Sequence, residues 1–310
     1  MINYSIIIPH KNIPDLLQRC LDSIPVRDDV QVIVVDDNSD ESVVDFSHFP
    51  RWEGKNYEYY LTKEGKGAGF ARNVGLEHVK GAWLVFLDAD DFLLAEVSDI
   101  FDEEINTKED IVFFRPRFVY NDNLELTSKR GGSGYIRYIE CYIETGEEME
   151  LRTRWHSPWS KFIKTSLVVE NDIRFEETKY SNDVMFSTMT GCKARKIAAR
   201  DKGYYVITER TGSLTSRFCQ KEGELEIRSS AFLRAQQIVK ENGYPVDERL
   251  AICFMRLLFK RDRSQFILFF KAVLKMSEQS RFALINRVFE PNSFVSRVKR
   301  GAYVFLASLF

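Results

Sequence analysis

Along the first ~90 residues, short continuous apolar runs alternate with stretches of helical spacing. Tyr4-Ser5-Ile6-Ile7-Ile8-Pro9, Gln31-Val32-Ile33-Val34-Val35, Tyr57 to Leu61 and Trp83-Leu84-Val85-Phe86-Leu87 are the continuous runs. Runs of this kind mark strands buried on both faces, as in a parallel sheet. After the first, Asn12 suits an N-cap and Pro14 a first helical turn. Leu16, Leu17, Cys20, Leu21 and Ile24 then recur at helical spacing. A short helix is expected from Glu41. Gly65, Gly67 and Gly69 lead into a helix through Phe70–Leu76 that ends near Val79. The order βαβαβαβ predicts an α/β fold with parallel strands and helices on both faces.

Further on, a helix is expected from about Leu94 and a strand at Ile111-Val112-Phe113-Phe114. Asn121 to Gly134 is polar and glycine-rich, which predicts an exposed hairpin or loop. Tyr135 to Thr145 has helical character. Ser181 suits the cap of a helix carrying Met185, Phe186 and Met189, with Asp183 in its first turn. Lys202 to Thr208 reads as a strand, and Glu222 to Asn242 as a long helix stopped by Gly243. From Glu248 the chain is helical, aromatic and basic. These elements divide the chain into 1–218 and 219–310. The first divides again into an N-terminal half, 1–120, and a second half, 121–218.

Length and composition change the picture in three ways. A chain of 310 residues with 44% hydrophobic and 13% aromatic content builds a packed globular protein. Net charge is −2, so a nucleic-acid partner is not expected. The charge is uneven: residues 251–310 hold 11 lysines and arginines against 3 acids, a net +8. A basic amphipathic helix suits an anionic membrane surface, while a packed helical bundle with solvated charges fits the same sequence. The five cysteines have neither metal-ligand nor redox spacing, which points to reduced thiols and a cytoplasmic location. The start lacks the pattern of a signal peptide, and the longest apolar stretch, Phe266 to Met276, is interrupted by Lys271 and Lys275.

Candidate chemistry gathers where strands end. Asp88, Asp90 and Asp91 follow the fourth strand, Asp36 and Asp37 the second, and His10-Lys11-Asn12 the first. Parallel topology puts all three ends on one edge, where ligands of open α/β sheets bind. Concentrated carboxylates repel one another unless a cation sits between them, and Mg²⁺ or Mn²⁺ is the natural partner for oxygen ligands. An acidic turn capping the next helix is the other reading of Asp88-Ala89-Asp90-Asp91. Trp155, His156, Pro158 and Trp159 suit either a sugar-stacking surface or ordinary core.

In combination, these residues resemble the family 2 glycosyltransferases, which have the GT-A fold. The resemblance lies in Ser5-Ile6-Ile7-Ile8-Pro9 with Asn12, Val34-Val35-Asp36-Asp37-Asn38-Ser39, Gly69-Phe70-Ala71-Arg72-Asn73-Val74-Gly75 and Phe86-Leu87-Asp88-Ala89-Asp90-Asp91. It continues less tightly through Trp159-Ser160-Lys161-Phe162, Ile173-Arg174-Phe175, Asn182-Asp183 and Arg210-Thr211-Gly212-Ser213-Leu214-Thr215, covering roughly residues 4–218.

The resemblance implies an inverting transferase that moves a sugar from a nucleotide-sugar, with UDP as the expected nucleotide and GDP or dTDP left open. Nucleotide-sugar contacts would come from Pro9, Lys11, Asn12, Asp37, Arg72, Asp88, Ala89 and Asp90. Asp90 and Asp88 would hold the divalent cation, and Asp183 would be the general base. Trp159, Lys161, Asn182, Arg210 and Ser213 would touch donor or acceptor. The acceptor would be a glycan or lipid-linked, in synthesis of a bacterial surface polysaccharide. Residues 251–310 would rest peripherally on the inner face of the plasma membrane. Two departures stand out: Lys11 occupies a place where many members have an aromatic residue, and Asn182 one where they have Glu.

Three other readings differ in kind. A signalling receiver would carry its acid pair after the first strand and would be much shorter. A sugar nucleotidyltransferase would need a glycine-rich, arginine-bearing loop where this chain has Pro9-His10-Lys11-Asn12. A catalytically silent nucleotide-sugar-binding scaffold of the same fold is the remaining alternative.

Overall fold

The computed structural model describes residues 1–128, 133–210, 223–277 and 279–289. The chain forms two compact units, Met1–Phe218 and Cys219–Phe310.

The first unit begins with β1 (Tyr4–His10), α1 (Pro14–Asp22), β2 (Val30–Asp37), β3 (Tyr57–Thr62), α2 (Ala68–Leu76) and β4 (Trp83–Phe86). Strands β1, β2 and β4 are buried along almost their whole length, which is why they read as unbroken apolar runs. After these come β5 (Phe92–Leu93), α3 (Val97–Glu104), β6 (Ile111–Phe114), β7 (Arg117–Tyr120) and β8 (Asn123–Thr127). The unit is completed by α4 (Ser133–Thr145), α5 (Met149–Arg154), β9 (Lys161–Lys164), α6 (Thr165–Glu170), α7 (Val184–Lys193), β10 (Ile197–Arg200) and β11 (Tyr205–Glu209).

Seven strands form the main sheet in the order β10-β6-β9-β4-β1-β2-β3. All its pairings are parallel except those of β9, which runs antiparallel to both neighbours. In the register of the central strands, His10 pairs with Asp36 and Ile7 with Phe86. The ends of β1, β2 and β4 therefore share one edge. A smaller sheet, β5-β11-β7-β8, lies after that edge in the chain. One core packs on each face of the main sheet, around Ile6, Ile8 and Val34 on one side and Ile7, Ile33 and Val35 on the other. Helix α2 packs close to β1 because Gly75 has no side chain: a Cβ there would meet Ile7 Cγ2 at 2.6 Å.

Several local expectations shift. The stretch after Glu41 is a turn followed by a 3₁₀ turn at Phe46–His48, capped by Asp45 accepting from Ser47 N–H. Of the hairpin or loop expected from Asn121, the described part is the hairpin: residues 121–128 contribute the exposed β8, antiparallel to β7. Helix α7 starts two residues later than a Ser181 cap would place it, so that Asp183 is its N-cap residue rather than part of its first turn.

The second unit contains α8 (Glu224–Glu241), α9 (Glu248–Arg261), α10 (Arg263–Met276) and α11 (Arg281–Val288). Its core holds Phe232, Phe254, Leu258, Phe266, Phe269, Phe270 and Leu284. The aromatic stripe after Glu248 is thus buried within the bundle, while Lys260, Arg261, Arg263, Lys271 and Lys275 are exposed. Asp262 ends α9 and caps α10, its carboxylate accepting from Ser264 and Gln265 N–H. Among the described residues no helix is long and apolar enough to cross a membrane.

Candidate functional site

The two acids that end β2 diverge because successive strand side chains point to opposite faces. Asp36 turns inward. Its carboxylate meets His10 Nδ1 at 2.7 Å and accepts from the Ser39 hydroxyl at 2.6 Å and Ser39 N–H at 2.8 Å. Burial opposes its ionisation, but these bonds hold its carboxyl below the usual range. His10 Nε2 accepts from Ile13 N–H at 3.2 Å, so the proton sits on Nδ1. His10 and Asp36 therefore fasten the loop instead of facing a ligand. Asn12 extends that fastening: its N–H donates to Ser39 Oγ at 2.8 Å and its Oδ1 accepts from Asp40 N–H at 2.7 Å. Its φ of 58° is in the left-handed region, which Asn tolerates better than most residues. Pro9 sits in register with Val35.

Asp37 takes the other face. Its Oδ2 accepts from Gly67 N–H at 2.9 Å and from Lys11 Nζ at 3.4 Å. Its Oδ1 is buried without a hydrogen-bond partner. Lys11 also donates to the Asp37 carbonyl at 2.8 Å.

Arg72, on α2, is buried beside β4. One terminal nitrogen donates to Asp88 Oδ1 at 2.6 Å and the other to Asn182 Oδ1 at 3.1 Å. A residue from the first 90 positions is thus joined to the segment before α7. The approach depends on Gly69, where a Cβ would stand 2.1 Å from the Glu176 carbonyl oxygen and 2.9 Å from Asn182 Cβ. Asn73 adds a second tie, exchanging hydrogen bonds with the backbone of Phe175 at 2.9 and 2.8 Å.

The turn after β4 is held from several sides. Tyr205 accepts from Asp88 N–H at 3.0 Å and donates to Asp91 Oδ2 at 2.9 Å. Asp91 Oδ1 accepts from Thr208 N–H at 2.8 Å. Asp91 is fully enclosed, and burial pushes its carboxyl well above the usual range; it shapes the turn. The Asp90 carbonyl accepts from Arg19 and from Thr208 Oγ1, both at 2.6 Å. Its side chain accepts from Arg210 Nε at 2.8 Å. Burial and then the neighbouring charge of Asp88 push the Asp90 carboxyl upward. Ala89 between them is buried.

Asp88 and Asp90 suit a divalent cation. Arg72 and Arg210 each take one carboxylate oxygen of Asp88 and Asp90, and the remaining oxygens at the sheet edge are the ones that would meet a cation. Among the described residues no three metal-type side chains form a ready cage. Two are enough where phosphate and water oxygens complete the shell, as Mg²⁺ commonly requires.

On the other side, Asp183 occupies the N-cap position of α7, next to Asn182. Trp159, half-buried, stacks on Tyr205 with centroids 5.9 Å apart and meets Tyr135 edge-on at 5.0 Å. Burial, with the Asp183 charge adding to it, raises the Tyr135 hydroxyl to about 12. Trp155 is core, packed on Phe113. Lys161 is only 1% exposed. Strand β9 lies inside the sheet, between β4 and β6, and the Lys161 ammonium donates to the Trp155 carbonyl at 3.1 Å. Burial lowers its pKa to about 7. It is enclosed in the core and does not present a contact to donor or acceptor as the sequence suggested. Ser213 lies outside the described residues.

Sequence reasoning did not find Tyr205 or Arg19. Tyr205 sits in a plain strand pattern and Arg19 on an amphipathic helix; only the folded chain brings either to the acids.

Residues 5–162 match the family model described as Glycosyl transferase family 2, and the chain belongs to that family. It is 27% identical over 237 residues to the poly(ribitol-phosphate) beta-N-acetylglucosaminyltransferase TarS of Staphylococcus aureus, covering 73% of this chain and 39% of that protein. It is 28% identical over 221 residues to a poly(ribitol-phosphate) beta-glucosyltransferase of Bacillus spizizenii, covering 67% and 32%. The chain thus spans only about a third of the length of these two relatives. Among solved structures, residues 1–349 of S. aureus TarS in complex with UDP-GlcNAc superpose with a TM-score of 0.62 at 21% identity, over 93% of this chain and 82% of that one. A Pyrobaculum calidifontis mannosyltransferase in complex with GDP-Man and Mn²⁺ gives 0.54 at 17%, over 99% and 86%. These likenesses establish the GT-A fold.

Proposed function

We propose that this family 2 glycosyltransferase transfers a sugar from a UDP-sugar to a hydroxyl of a bacterial surface glycan, with inversion and with a divalent cation. One observation carries the reading: Arg72 joins Asp88, at the nucleotide edge, to Asn182, the neighbour of Asp183. The Asp88 carboxylate and the amide beside Asp183 are thereby tied through a single buried guanidinium. The relatives named for poly(ribitol-phosphate) glycosylation support a cell-wall polyol phosphate or a related lipid-linked glycan as acceptor.

In this mechanism, Asp37 accepts from the base, and Pro9 and Asn12 shape its pocket. Asp88 and Asp90 would hold Mg²⁺ or Mn²⁺, which when bound neutralises charge on the departing diphosphate. Arg210, close to Asp90, adds fixed positive charge there, and Arg72 orients Asp88. Asp183 takes the proton from the acceptor hydroxyl as that oxygen bonds to the anomeric carbon. The bond from that carbon to the diphosphate oxygen breaks in the same step, and UDP leaves on the opposite face. Trp159 provides an aromatic wall for the acceptor sugar. The exposed lysines and arginines of α9 and α10 would bring the protein to an anionic membrane carrying such an acceptor.

The testing experiment is thermal unfolding with UDP, GDP, dTDP and CDP and their sugar conjugates, with Mn²⁺ or with chelator. A ligand at about one hundred times its dissociation constant stabilises a fold by roughly 2.7 kcal/mol. A metal-dependent rise with uridine nucleotides, lost in Asp90→Ala, is expected. A rise without turnover on any acceptor would instead identify a silent nucleotide-sugar-binding protein. No rise with any nucleotide would overturn the reading.

A further inference from the structure

We propose that Tyr205 is a positioning residue for the divalent cation: its hydroxyl sets the geometry of the turn that presents Asp88 and Asp90. This rests on the cation reading above and adds to it a residue outside the acids themselves.

The turn needs holding. Asp88 to Asp91 form a tight turn closed by Asp91 N–H, which donates to the Asp88 carbonyl at 2.9 Å. Three of its four residues carry carboxylates, and carboxylates this close repel one another. The two acids suited to a cation are the first and third residues, so the spread between them follows the backbone of the turn. A cation such as Mg²⁺ tolerates little error in that spread, because its oxygens must stand about 2.0–2.1 Å away in near-octahedral array.

Tyr205 joins the two ends of the turn through one oxygen. A phenol both accepts and donates. This one accepts from Asp88 N–H at 3.0 Å and donates to Asp91 Oδ2 at 2.9 Å. Tyr205 is fully buried, so water does not compete for either bond. Thr208 N–H fixes the other Asp91 oxygen at 2.8 Å, which makes that carboxylate a rigid anchor. Arg19 and Thr208 grip the Asp90 carbonyl and hold the middle of the turn. The hydroxyl holds its ends. Its own place is set by β11, where Tyr205 pairs with Leu93 just beyond the turn.

The ring has a separate task. It stacks on Trp159 at an interplanar angle of 29°. The next residue, Ser160, has a φ of 57°, a conformation that costs energy outside glycine. Its hydroxyl donates to the Phe114 carbonyl at 2.9 Å, and its carbonyl accepts from Phe114 N–H at 3.0 Å. These bonds hold the strained residue beside the stack. The ring contact depends on the aromatic face and the turn contact on a single oxygen, so Tyr205→Phe removes the second and keeps the first.

Calorimetric titration of UDP, once with saturating Mn²⁺ and once with chelator, tests the role. Wild type, Tyr205→Phe and Tyr204→Phe are compared, and thermal unfolding checks that each variant is folded. Tyr204 is the control: it too is fully buried, but its hydroxyl donates to the Lys161 carbonyl at 3.2 Å. The wild type should bind UDP more tightly with Mn²⁺ than without. Residues that orient metal ligands typically contribute about 10–100-fold to metal affinity, so Tyr205→Phe should cut this Mn²⁺ enhancement by about tenfold. UDP affinity in chelator should stay within about twofold, since no metal ligand is then in use. Tyr204→Phe should keep the wild-type enhancement whatever it loses in stability. An unchanged enhancement in Tyr205→Phe would overturn the inference. So would an equal loss of UDP affinity with and without Mn²⁺, which would make the hydroxyl a support of the fold alone. The same fall in Tyr204→Phe would also overturn it, by showing a general loosening of the site. Wild-type UDP affinity that ignores Mn²⁺ would remove the cation from the proposed function and this inference with it.

Discussion

Arg72 holds Asp88 at 2.6 Å with one terminal nitrogen and reaches Asn182 at 3.1 Å with the other. Lysine cannot reproduce this fork, since it presents a single point charge. Arg72→Lys is therefore expected to lower kcat/KM by about 10²-fold, near 2.7 kcal/mol. Because the site is buried, stability should also fall, by about 1–3 kcal/mol. Steady-state kinetics and denaturant unfolding measure the two separately. Wild-type kcat/KM in a folded variant would show that the bridge does not serve catalysis.

Gly69→Ala tests the close approach of α2 to the segment before α7. The new Cβ would lie 2.1 Å from the Glu176 carbonyl oxygen, a backbone atom that cannot swing aside. Overpacking of this kind costs about 1–3 kcal/mol. The displaced segment carries Asn182 and Asp183, so turnover should fall further than nucleotide affinity. Titration of UDP beside a transfer assay gives both quantities.

Asp183→Asn should abolish transfer and leave UDP binding within about twofold of wild type. Asparagine keeps the shape and the cap position but cannot take a proton at neutral pH. A variant that still transfers sugar at the wild-type rate would remove Asp183 from the base role.

Lys161→Met separates a buried charge from the fold. Burial lowers the Lys161 pKa to about 7, against about 10.4 in an unfolded chain. Between those values the unfolded state binds the extra proton, so stability rises with pH. Below pH 7 the folded protein carries the full penalty of a buried ammonium. The methionine variant should therefore gain most over wild type at pH 6, and the gain should shrink toward pH 10. Thermal midpoints at pH 6, 8 and 10 test this. A difference that stays constant with pH would mean that the ammonium is fully compensated, with Asp183 the nearest source of opposite charge.

In the second unit, Phe254, Phe266, Phe269 and Phe270 are core, so membrane attraction would have to come from exposed charge. Replacing Lys260, Arg261, Arg263 and Lys271 with glutamine should reduce sedimentation with phosphatidylglycerol vesicles. Wild-type binding should fall as salt rises from about 50 to 200 mM, since these charges are screened. Wild-type protein that ignores such vesicles at low salt would sink the peripheral-membrane role.

The sequence by itself determined the central strands and which of their ends carry chemistry. Buried strands need unbroken apolar runs, and those runs stop where Lys11, Asp37 and Asp88 begin, so both are written locally. Parallel topology follows from the alternation of strand and helix. What only the tertiary structure decided is how these acids are used. Asp36 and Asp37 are neighbours of the same type, yet strand alternation sends one to His10 and the other to the ligand edge. Asp91 looks like part of the same acidic triplet as Asp90, but Tyr205 and Thr208, more than 100 residues away, enclose it as scaffold. Lys161 reads as a donor or acceptor contact until β9 is seen between β4 and β6. Long-range pairing leaves no local periodicity, because the partner residue answers to the packing of a different element. The aromatic stripe after Glu248 shows the same division: its helical spacing was plain, while the face it packs against depended on three other helices.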